Sequence, residues 1–333
     1  MTKLSFNLWN DLDRFDLGDS NARPGVYLGQ QAAYLEKSGS AVFLRDEIPF
    51  TCFRLQAEVA IPEQVGFIGL VFGAKNSHNY ELVYLAPEEI QYDPVMNGSM
   101  TWQIYNGTMY QKPLPNTTGK WVKFAVEVQP NGAAVYMGED AFPQLVIPNL
   151  QHGDPVGKIG FWGYLPGYIR NLAIEEIQPT PITKRDRDLK RLSTETFITE
   201  WMVSPIAENR WTKAVVEENG TLNLNRIYTA EQGSSVQAKS TFYISEEKET
   251  LLTFGFSDHL RLWVNEEKVY QGDWRWNPPE SDGRIRSNMA SVPVRWMAGV
   301  NTIRAEITNN EFFGWGLCIK TGLSDMSFIT EEK

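Results

Sequence analysis

The chain has 333 residues, a formal net charge of −10, 42% hydrophobic residues and 22% charged residues. This length exceeds the usual size of one hydrophobic core, and the composition is that of a folded globular protein, so two domains are expected. The acidic balance argues against nucleic acid and anionic membranes as partners, because both are bound by clustered Lys and Arg.

The N-terminal residues contain no apolar segment of the kind that export signals carry, and no later run is long enough to cross a bilayer. The sequence therefore predicts a cytoplasmic location, although a signal removed from the given chain is left open. Cys52 and Cys318 lie near opposite ends of the chain, so neither a disulfide nor a zinc site is expected.

Strand patterns recur along most of the chain. Apolar and polar residues alternate over 52–61, 121–128 and 260–264, which is typical of strands with one face on a core. Asn131-Gly132 joins two such runs and is a strong hairpin signal. These short strands predict an all-β fold, with two β-sandwich (jelly-roll) domains in tandem and helix in fewer than about a tenth of the residues.

The composition changes between Gln178 and Thr196. Proline residues and the charge run 184–191 lack both strand alternation and an apolar face. We therefore predict a linker over 179–196, between a first domain at 1–178 and a second at 197–333. A short helix over 186–192 is an alternative to a solvated connector.

The first domain carries a series of strand motifs, whose order and spacing can be compared with known families. They are Phe-Arg-Leu-Gln-Ala-Glu-Val at 53–59, Gly-Leu-Val-Phe at 69–72, Asn-Tyr-Glu-Leu-Val-Tyr at 79–84, Gly-Lys-Trp-Val-Lys-Phe at 119–124 and Gly-Lys-Ile-Gly-Phe-Trp at 157–162. This series resembles the concanavalin A-like lectin/glucanase jelly roll, and in particular the 3-keto-disaccharide hydrolase domains. These are framework positions, so the resemblance implies the fold and leaves the site open.

The second domain resembles the galactose-binding-like jelly roll, which occurs as an accessory domain in glycoside hydrolases. The resemblance rests on Thr-Glu-Trp-Met-Val-Ser-Pro at 199–205, on Ser257-Asp258 followed by Leu-Trp-Val-Asn at 262–265, and on Ala-Gly-Val-Asn-Thr-Ile at 298–303. Glu266 stands where such domains usually have Gly. Both families contain carbohydrate-active members, so together the resemblances imply a carbohydrate ligand.

Glycoside hydrolysis needs two carboxylates on either side of one bond. The Glu-x-Asp-x-x-Glu strand motif of the glucanases is absent, and the adjacent pair Glu175-Glu176 points to opposite faces of a strand. No catalytic residue can be transferred from the keto-sugar family. If the protein is an enzyme, the acids and bases nearest to predicted loop edges are His78, Glu81, Asp93 and His152, although a lone loop His is more often an ordinary polar residue.

Aromatic residues in loops are the stronger indication of binding. Trp274, Arg275 and Trp276 lie in a Pro- and Gly-bearing segment that cannot be a central strand. Sugars pack their C–H faces on aromatic rings and give their hydroxyls to polar groups, so these residues are the predicted ligand site. The alternative is that the loop folds back and buries its own rings. Two further aromatic sets are predicted ligand-binding residues: Tyr92, Asp93, Trp102 and Tyr105, and Tyr164 and Tyr168.

The sequence thus favours a carbohydrate-binding protein of a polysaccharide or glycoside utilisation system. The alternatives are a glycoside hydrolase or lyase acting on a keto-sugar or disaccharide, with its site in the first domain, and a structural or protein-interaction module. No cofactor or metal site is expected. Structural calcium is left open because β-sandwich carbohydrate modules often carry it, although no Asp-x-Asp-x-Asp-Gly loop is present. The sequence indicates no oligomeric state.

Overall fold

A computed structural model describes residues 2–36, 39–208 and 210–329. Strands account for 52% of the residues and helices for 4%. The predicted all-β fold and the low helix content are therefore confirmed. No helix in the described ranges is long and apolar enough to cross a membrane.

The strands are numbered in chain order. They are β1 (Lys3–Phe6), β2 (Phe15–Asp16), β3 (Arg23–Tyr27), β4 (Gln30–Leu35), β5 (Ala41–Leu44), β6 (Phe53–Ala60), β7 (Phe67–Asn76), β8 (Asn79–Ala86), β9 (Glu89–Tyr92), β10 (Val95–Met96), β11 (Ser99–Met100), β12 (Gln111–Pro113), β13 (Trp121–Gln129), β14 (Gly132–Met137), β15 (Leu145–Ile147), β16 (Lys158–Tyr164), β17 (Gly167–Glu176), β18 (Glu200–Pro205), β19 (Thr212–Val215), β20 (Leu222–Asn223), β21 (Ser235–Ile244), β22 (Lys248–Val264), β23 (Glu267–Trp274), β24 (Trp276–Asn277), β25 (Ser281–Asp282), β26 (Ala290–Trp296), β27 (Gly299–Thr308), β28 (Gly316–Lys320) and β29 (Ser327–Phe328). Short 3-10 helices cover Leu12–Arg14 and Leu224–Arg226, and the helix α1 covers Leu189–Thr194.

The chain forms two compact units. The first unit comprises residues 1–96 and 107–185, and the second comprises residues 97–106 and 186–333. The change of unit after residue 185 falls inside the predicted linker, whose boundaries stay a prediction. Inclusion of residues 97–106 in the second unit was not predicted from the sequence.

The first unit contains two antiparallel sheets. One has the strand order β15-β14-β13-β6-β17-β4-β3, with β1 also paired to β17. The other contains the order β10-β8-β7-β16-β5-β2, with β9 paired to β8 and β12 to β9. Phe53, Leu55, Ala57 and Val59 of β6 are buried, while the residues between them are half-buried, so the predicted alternation of this strand is confirmed.

The second unit is organised around one long strand, β22. The sequence predicts a strand over 260–264, but the extended backbone of β22 also includes Ser257 and Asp258 and begins at Lys248. Up to Ser257 the strand pairs with β26 and β28, and from Asp258 onward it pairs with β23 and β27. One strand therefore serves two sets of partners, which is how β-sandwiches turn a corner.

The helix α1 begins within the predicted linker. The Asp188 side chain caps it by accepting a hydrogen bond of 2.8 Å from the Arg191 N–H, and Leu192 is fully buried. A helix had been predicted one turn earlier as an alternative to a connector. The cap at Asp188 explains the shift, since the helix begins at the residue that follows it.

The hairpin between β22 and β23 turns through Asn265 and Glu266, whose φ angles are 47° and 69°. Two residues with positive φ form a type I′ turn, the connection that suits the twist of paired strands. The Asn265 side chain accepts from the Thr302 N–H at 2.9 Å and donates to Asn301 Oδ1 at 2.8 Å. Within the described ranges, no side-chain hydrogen bond of Glu266 offsets its left-handed backbone.

We predict that Glu266→Gly stabilises the second unit by about 0.5–1 kcal/mol, because glycine adopts a positive φ without strain. Asn265→Gly is the matched control: it keeps the backbone but loses both side-chain hydrogen bonds, and should destabilise by about 1–2 kcal/mol. Urea unfolding of both variants measures this. An equal loss of stability in the two variants would contradict the assignment of strain to Glu266.

Candidate functional site

The predicted Trp-Arg-Trp segment folds as a small hairpin in the second unit. β22 and β23 pair so that Asp258 lies opposite Trp274 and His259 opposite Asp273. The chain then forms β24 and β25, which pair Trp276 with Asp282. Two consecutive prolines occupy the tip of this hairpin, where a strand could not continue.

The hairpin walls an open groove with a volume of about 490 Å³. Trp276 is 39% exposed, whereas Trp274 is half-buried and its indole N–H donates to the Arg284 carbonyl at 3.2 Å. The Trp276 ring is thus available to a ligand, whereas the Trp274 ring mainly forms part of the groove wall. The groove is lined by Asp273, Trp274, Arg275, Trp276, Asn277, Ser281 and Glu311.

Glu311 fixes the backbone of the exposed tryptophan. Its Oε2 accepts hydrogen bonds from the Trp276 N–H at 3.1 Å and from Gln103 Nε2 at 3.0 Å. Gly283, with a φ of 70°, lies against the same point, where a Cβ would come within 2.8 Å of the Trp276 nitrogen. The position of Trp276 is therefore set by its main chain, which leaves its ring free to face the groove.

Asp258 in turn holds Glu311. This carboxylate is fully buried, and its Oδ2 accepts from the backbone N–H groups of Asn310 and Glu311, the latter at 2.7 Å. Its Oδ1 lies 2.6 Å from Ser257 Oγ, which is also 2.9 Å from Gln103 Oε1. The Ser257 hydroxyl has one proton, so it donates to one of these two oxygens at a time.

The pKa shifts of these carboxyls agree with this arrangement. Burial raises the pKa of Asp258, and its three hydrogen bonds only partly oppose that effect. Burial, with a further contribution from the Asp258 carboxylate, also raises the pKa of Glu311. At Asp273 partial burial acts in the same direction, but hydrogen bonds from His259 and Arg275 outweigh it and lower the pKa.

Trp102 and Tyr105, predicted to bind ligand, lie inside the second unit. Trp102 is 9% exposed, packs against Phe313 and carries the Arg284 guanidinium 5.4 Å from its ring centre. Tyr105 is fully buried, and its hydroxyl accepts from Arg226 at 3.0 Å. Neither side chain lines the groove, and their predicted role stays a prediction.

Two of the four catalytic candidates, Glu81 and His152, are joined by hydrogen bonds in the first unit. Glu81 is fully buried and accepts from the Tyr92 hydroxyl at 2.5 Å and from the His152 N–H at 2.7 Å. The His152 ring nitrogen Nε2 lies 2.8 Å from the Val95 carbonyl, and Asp93 is also fully buried. These hydrogen bonds tie a loop to β8, so the network has a structural use. A catalytic or ligand-binding role for these residues stays a prediction.

The remaining predicted residues of the first unit lie elsewhere. His78 is exposed in the turn between β7 and β8, where its N–H donates to Asn76 Oδ1 at 2.8 Å. Tyr164 ends β16 and contacts Phe67, while Tyr168 lies in β17 among other aromatic rings. No group of three His, Cys, Asp or Glu side chains in the described ranges could hold a metal ion, and the question of calcium stays open.

Sequence reasoning missed the residues that position the groove, namely Gln103, Ser257, Asp258 and Glu311. Asp258 was quoted only as part of a family motif. No local pattern marks Glu311 or Gln103, because they become neighbours only through pairings across 208 positions of the chain.

No protein-family model and no curated protein matches this chain. Solved structures similar to about half of it include the carbohydrate binding module CBM66 from Bacillus subtilis, with 14% identity, coverage of 49% of this chain and 96% of that one, and a TM-score of 0.38. Others are a protein of unknown function with a galectin-like fold from Bacillus subtilis (11% identity, 52% and 94% coverage, TM-score 0.38) and a native glycosidic hydrolase (10% identity, 54% and 98% coverage, TM-score 0.38). Similarity at this level assigns no function, and the subfamily resemblances stay predictions.

The two tryptophans of the groove should differ in their contribution to stability. Trp276→Ala removes an exposed ring and should cost less than about 1 kcal/mol of unfolding free energy. Trp274→Ala removes a half-buried ring and its hydrogen bond, and should cost about 2–3 kcal/mol. Denaturant unfolding of the single variants measures both. If the Trp276 variant proved the less stable of the two, the exposed platform would be ruled out.

Asp258→Asn should change the pH dependence of stability. A carboxyl with a raised native pKa stabilises the fold below its unfolded pKa, and this contribution is lost as the pH rises through the native value. Asparagine cannot titrate but can donate to Ser257 and accept both backbone N–H groups. The variant should therefore gain on the wild type as the pH rises above the unfolded pKa of Asp, about 4.

Asp273→Asn is the control with the opposite sign. Its lowered pKa means that its stabilisation is present above the unfolded pKa and is lost as the pH falls through the native value. This variant should thus lose on the wild type as the pH rises from below the lowered native pKa to the unfolded pKa of about 4, and the difference should stay constant above that pH. Parallel trends for the two variants would contradict the protonation states inferred for the site.

Proposed function

We propose that the second unit binds a neutral carbohydrate in the groove beside Trp276. The observation that carries the proposal is that this ring is exposed while its backbone is fixed by Glu311. A platform held in place before binding loses little conformational freedom when a ligand packs on it, and this favours affinity. Exposed tryptophan on a mobile tip would not have this advantage.

The polar groups of the groove fit the hydroxyls of a sugar. Arg275 gives one N–H to Asp273 at 3.2 Å and has four further donors, and Asp273 is an ionised acceptor at neutral pH. Asn277 of β24 and Ser281 of β25, which are paired, add an amide and a hydroxyl. A sugar ring presents an apolar face and polar edges, so it requires this combination of an aromatic ring with donors and acceptors.

The charges favour a neutral glycan over an acidic one. Arg275 and Asp273 form an ion pair within the groove, and Glu311 adds a carboxyl. The groove therefore offers no unpaired cation to a uronate or sulfate, and the chain as a whole has a net charge of −10.

Hydrolysis is a second candidate function of the same groove. Asp273 and Glu311 both line it, with pKa values shifted in opposite directions, downward for Asp273 and upward for Glu311. A pair of carboxyls with divergent pKa values is what an acid and a base of a glycosidase require. In this scheme Glu311 protonates the glycosidic oxygen, and Asp273 assists the attack of water on the anomeric carbon.

We predict that Trp276→Ala weakens glycan binding by about 1–3 kcal/mol, because a central aromatic contact in a binding site has this value. The experiment is a screen of neutral and acidic glycans with the whole chain, followed by calorimetric titration of the variant. Trp263→Ala is the control. Trp263 is half-buried in the same unit, and the Arg304 guanidinium carbon lies 3.8 Å from its ring centre. The Trp263→Ala variant should bind the glycan with the affinity of the wild type.

Unchanged binding by the Trp276 variant would overturn the groove as the site. Release of reducing ends from the bound glycan, abolished by Glu311→Gln and by Asp273→Asn, would favour hydrolysis. If the wild type binds a glycan but releases no reducing ends from it, carbohydrate binding is the supported function and hydrolysis is not. A screen in which no glycan binds would favour the remaining alternative, a structural or protein-interaction module.

A further inference from the structure

The outer face of one sheet in the first unit carries a row of side chains that crosses five strands. Arg23 of β3 pairs with Tyr34 of β4, which pairs with Tyr168 of β17. Tyr168 pairs with Ala60 of β6, and Ala60 pairs with Trp121 of β13. Three aromatic residues and an arginine thus stand in register on a continuous surface. Of these, only Tyr168 was singled out from the sequence.

The rings form one cluster, which we call the aromatic patch and define as Tyr27, Tyr34, Trp121 and Tyr168. Tyr27 and Tyr168 are stacked, with ring centres 4.8 Å apart and an interplanar angle of 17°. Tyr34 lies 4.9 Å from Tyr168, and Trp121 meets Tyr27 edge-on at 6.1 Å. All four rings are half-buried, so each keeps part of its surface accessible.

Small residues form the floor beneath the patch. A Cβ at Gly25 would lie 2.6 Å from Tyr34 Cβ and 3.3 Å from the Tyr168 ring, so this position has no room for a side chain. Ala32 and Ala60, with 0% and 1% exposure, complete the floor.

Charged groups frame the patch and are all paired. The Arg170 guanidinium lies 4.6 Å from the Trp121 ring centre and bonds to Glu58 at 2.6 Å. The Arg23 guanidinium lies 4.7 Å from the Tyr34 ring centre and bonds to Glu36 at 2.9 Å. Each cation has its own carboxylate, so the frame is electrically balanced while keeping several N–H donors for a ligand.

We propose that the aromatic patch is a second carbohydrate site, which takes a neutral glycan chain along the row of rings. The tyrosine hydroxyls of Tyr27, Tyr34 and Tyr168 make no hydrogen bond to any residue in the described parts of the chain. An apolar floor with polar edges matches a chain of sugar rings, whose faces are apolar and whose rims carry hydroxyls. The site does not depend on the groove of the second unit.

The charges around the aromatic patch favour a neutral glycan chain over other ligands. A nucleic acid or acidic glycan needs unpaired cations, and both arginines here are engaged by carboxylates. An apolar protein surface would bury these two ion pairs, which costs desolvation that a polar ligand avoids. A neutral polyhydroxyl chain can use the donors without breaking either pair.

The test uses the whole chain and calorimetric titration with linear hexaoses of glucose, mannose, galactose, xylose and fructose, together with an oligouronide. Tyr168→Ala and Tyr27→Ala should each lower the affinity for at least one neutral hexaose by about tenfold or more. Tyr27 lies on the edge strand β3, so its variant remains informative if Tyr168→Ala fails to fold. The uronide should not bind at the patch.

Tyr136→Ala is the matched control. Tyr136 of β14 is also half-buried, and the Arg54 guanidinium lies 5.0 Å from its ring centre and is paired with Glu127 at 2.8 Å. It thus has the same Arg–Tyr–Glu chemistry on the same sheet, without neighbouring rings. Its replacement should leave hexaose affinity unchanged if a cluster of rings is what binds.

The outcomes separate this site from the groove. Affinity that falls in the Tyr27 and Tyr168 variants but not in Trp276→Ala supports the patch. Affinity that falls only in Trp276→Ala overturns the patch and leaves the groove. Loss with Tyr136→Ala equal to that with Tyr27→Ala, preference for the uronide, or absence of binding to every hexaose would each overturn the proposal of a neutral-glycan patch.

Discussion

The buried carboxyl of Asp258 is the constraint on which the candidate site depends. It lies where β22 leaves β28 and begins to pair with β23 and β27, at the corner of the second unit. A corner of this kind exposes backbone donors that have no strand partner. Asp258 satisfies two of them, at residues 310 and 311, and so fixes the loop that follows β27.

Glu311 connects the buried Asp258 to the groove. With its backbone held by Asp258, the Glu311 side chain accepts from Trp276 and Gln103, and these contacts anchor one wall. The exposed ring is therefore at the end of a chain of buried hydrogen bonds. Exposure of a large ring costs the fold some burial, and this network is what allows the ring to be both exposed and well placed.

The first unit uses a buried carboxylate in a similar way. Glu81 accepts from a backbone N–H and a tyrosine hydroxyl, and it links a loop to β8. In both units a buried acid replaces missing backbone partners where the chain leaves regular pairing. Such groups attract attention as catalytic candidates, but in each case the hydrogen bonds already account for their burial.

The strands could be predicted because side-chain alternation is a local property. The faces of β6 and of the second half of β22 follow directly from period two. The continuity of β22 through Ser257, the inclusion of residues 97–106 in the second unit, and the roles of Gln103 and Glu311 could not be predicted, since they arise from contacts between distant parts of the chain. Trp276 was found from its residue type and the prolines that follow it, whereas the network that holds it has no sequence pattern.

The most direct test of the groove as a glycan site is a crystal structure of the whole chain with a neutral glycan that it binds. We predict a sugar ring on the exposed face of Trp276, with its hydroxyls bonded to Asp273 and Arg275. A Trp276 ring covered by protein, or a glycan bound at neither the groove nor the aromatic patch, would contradict it.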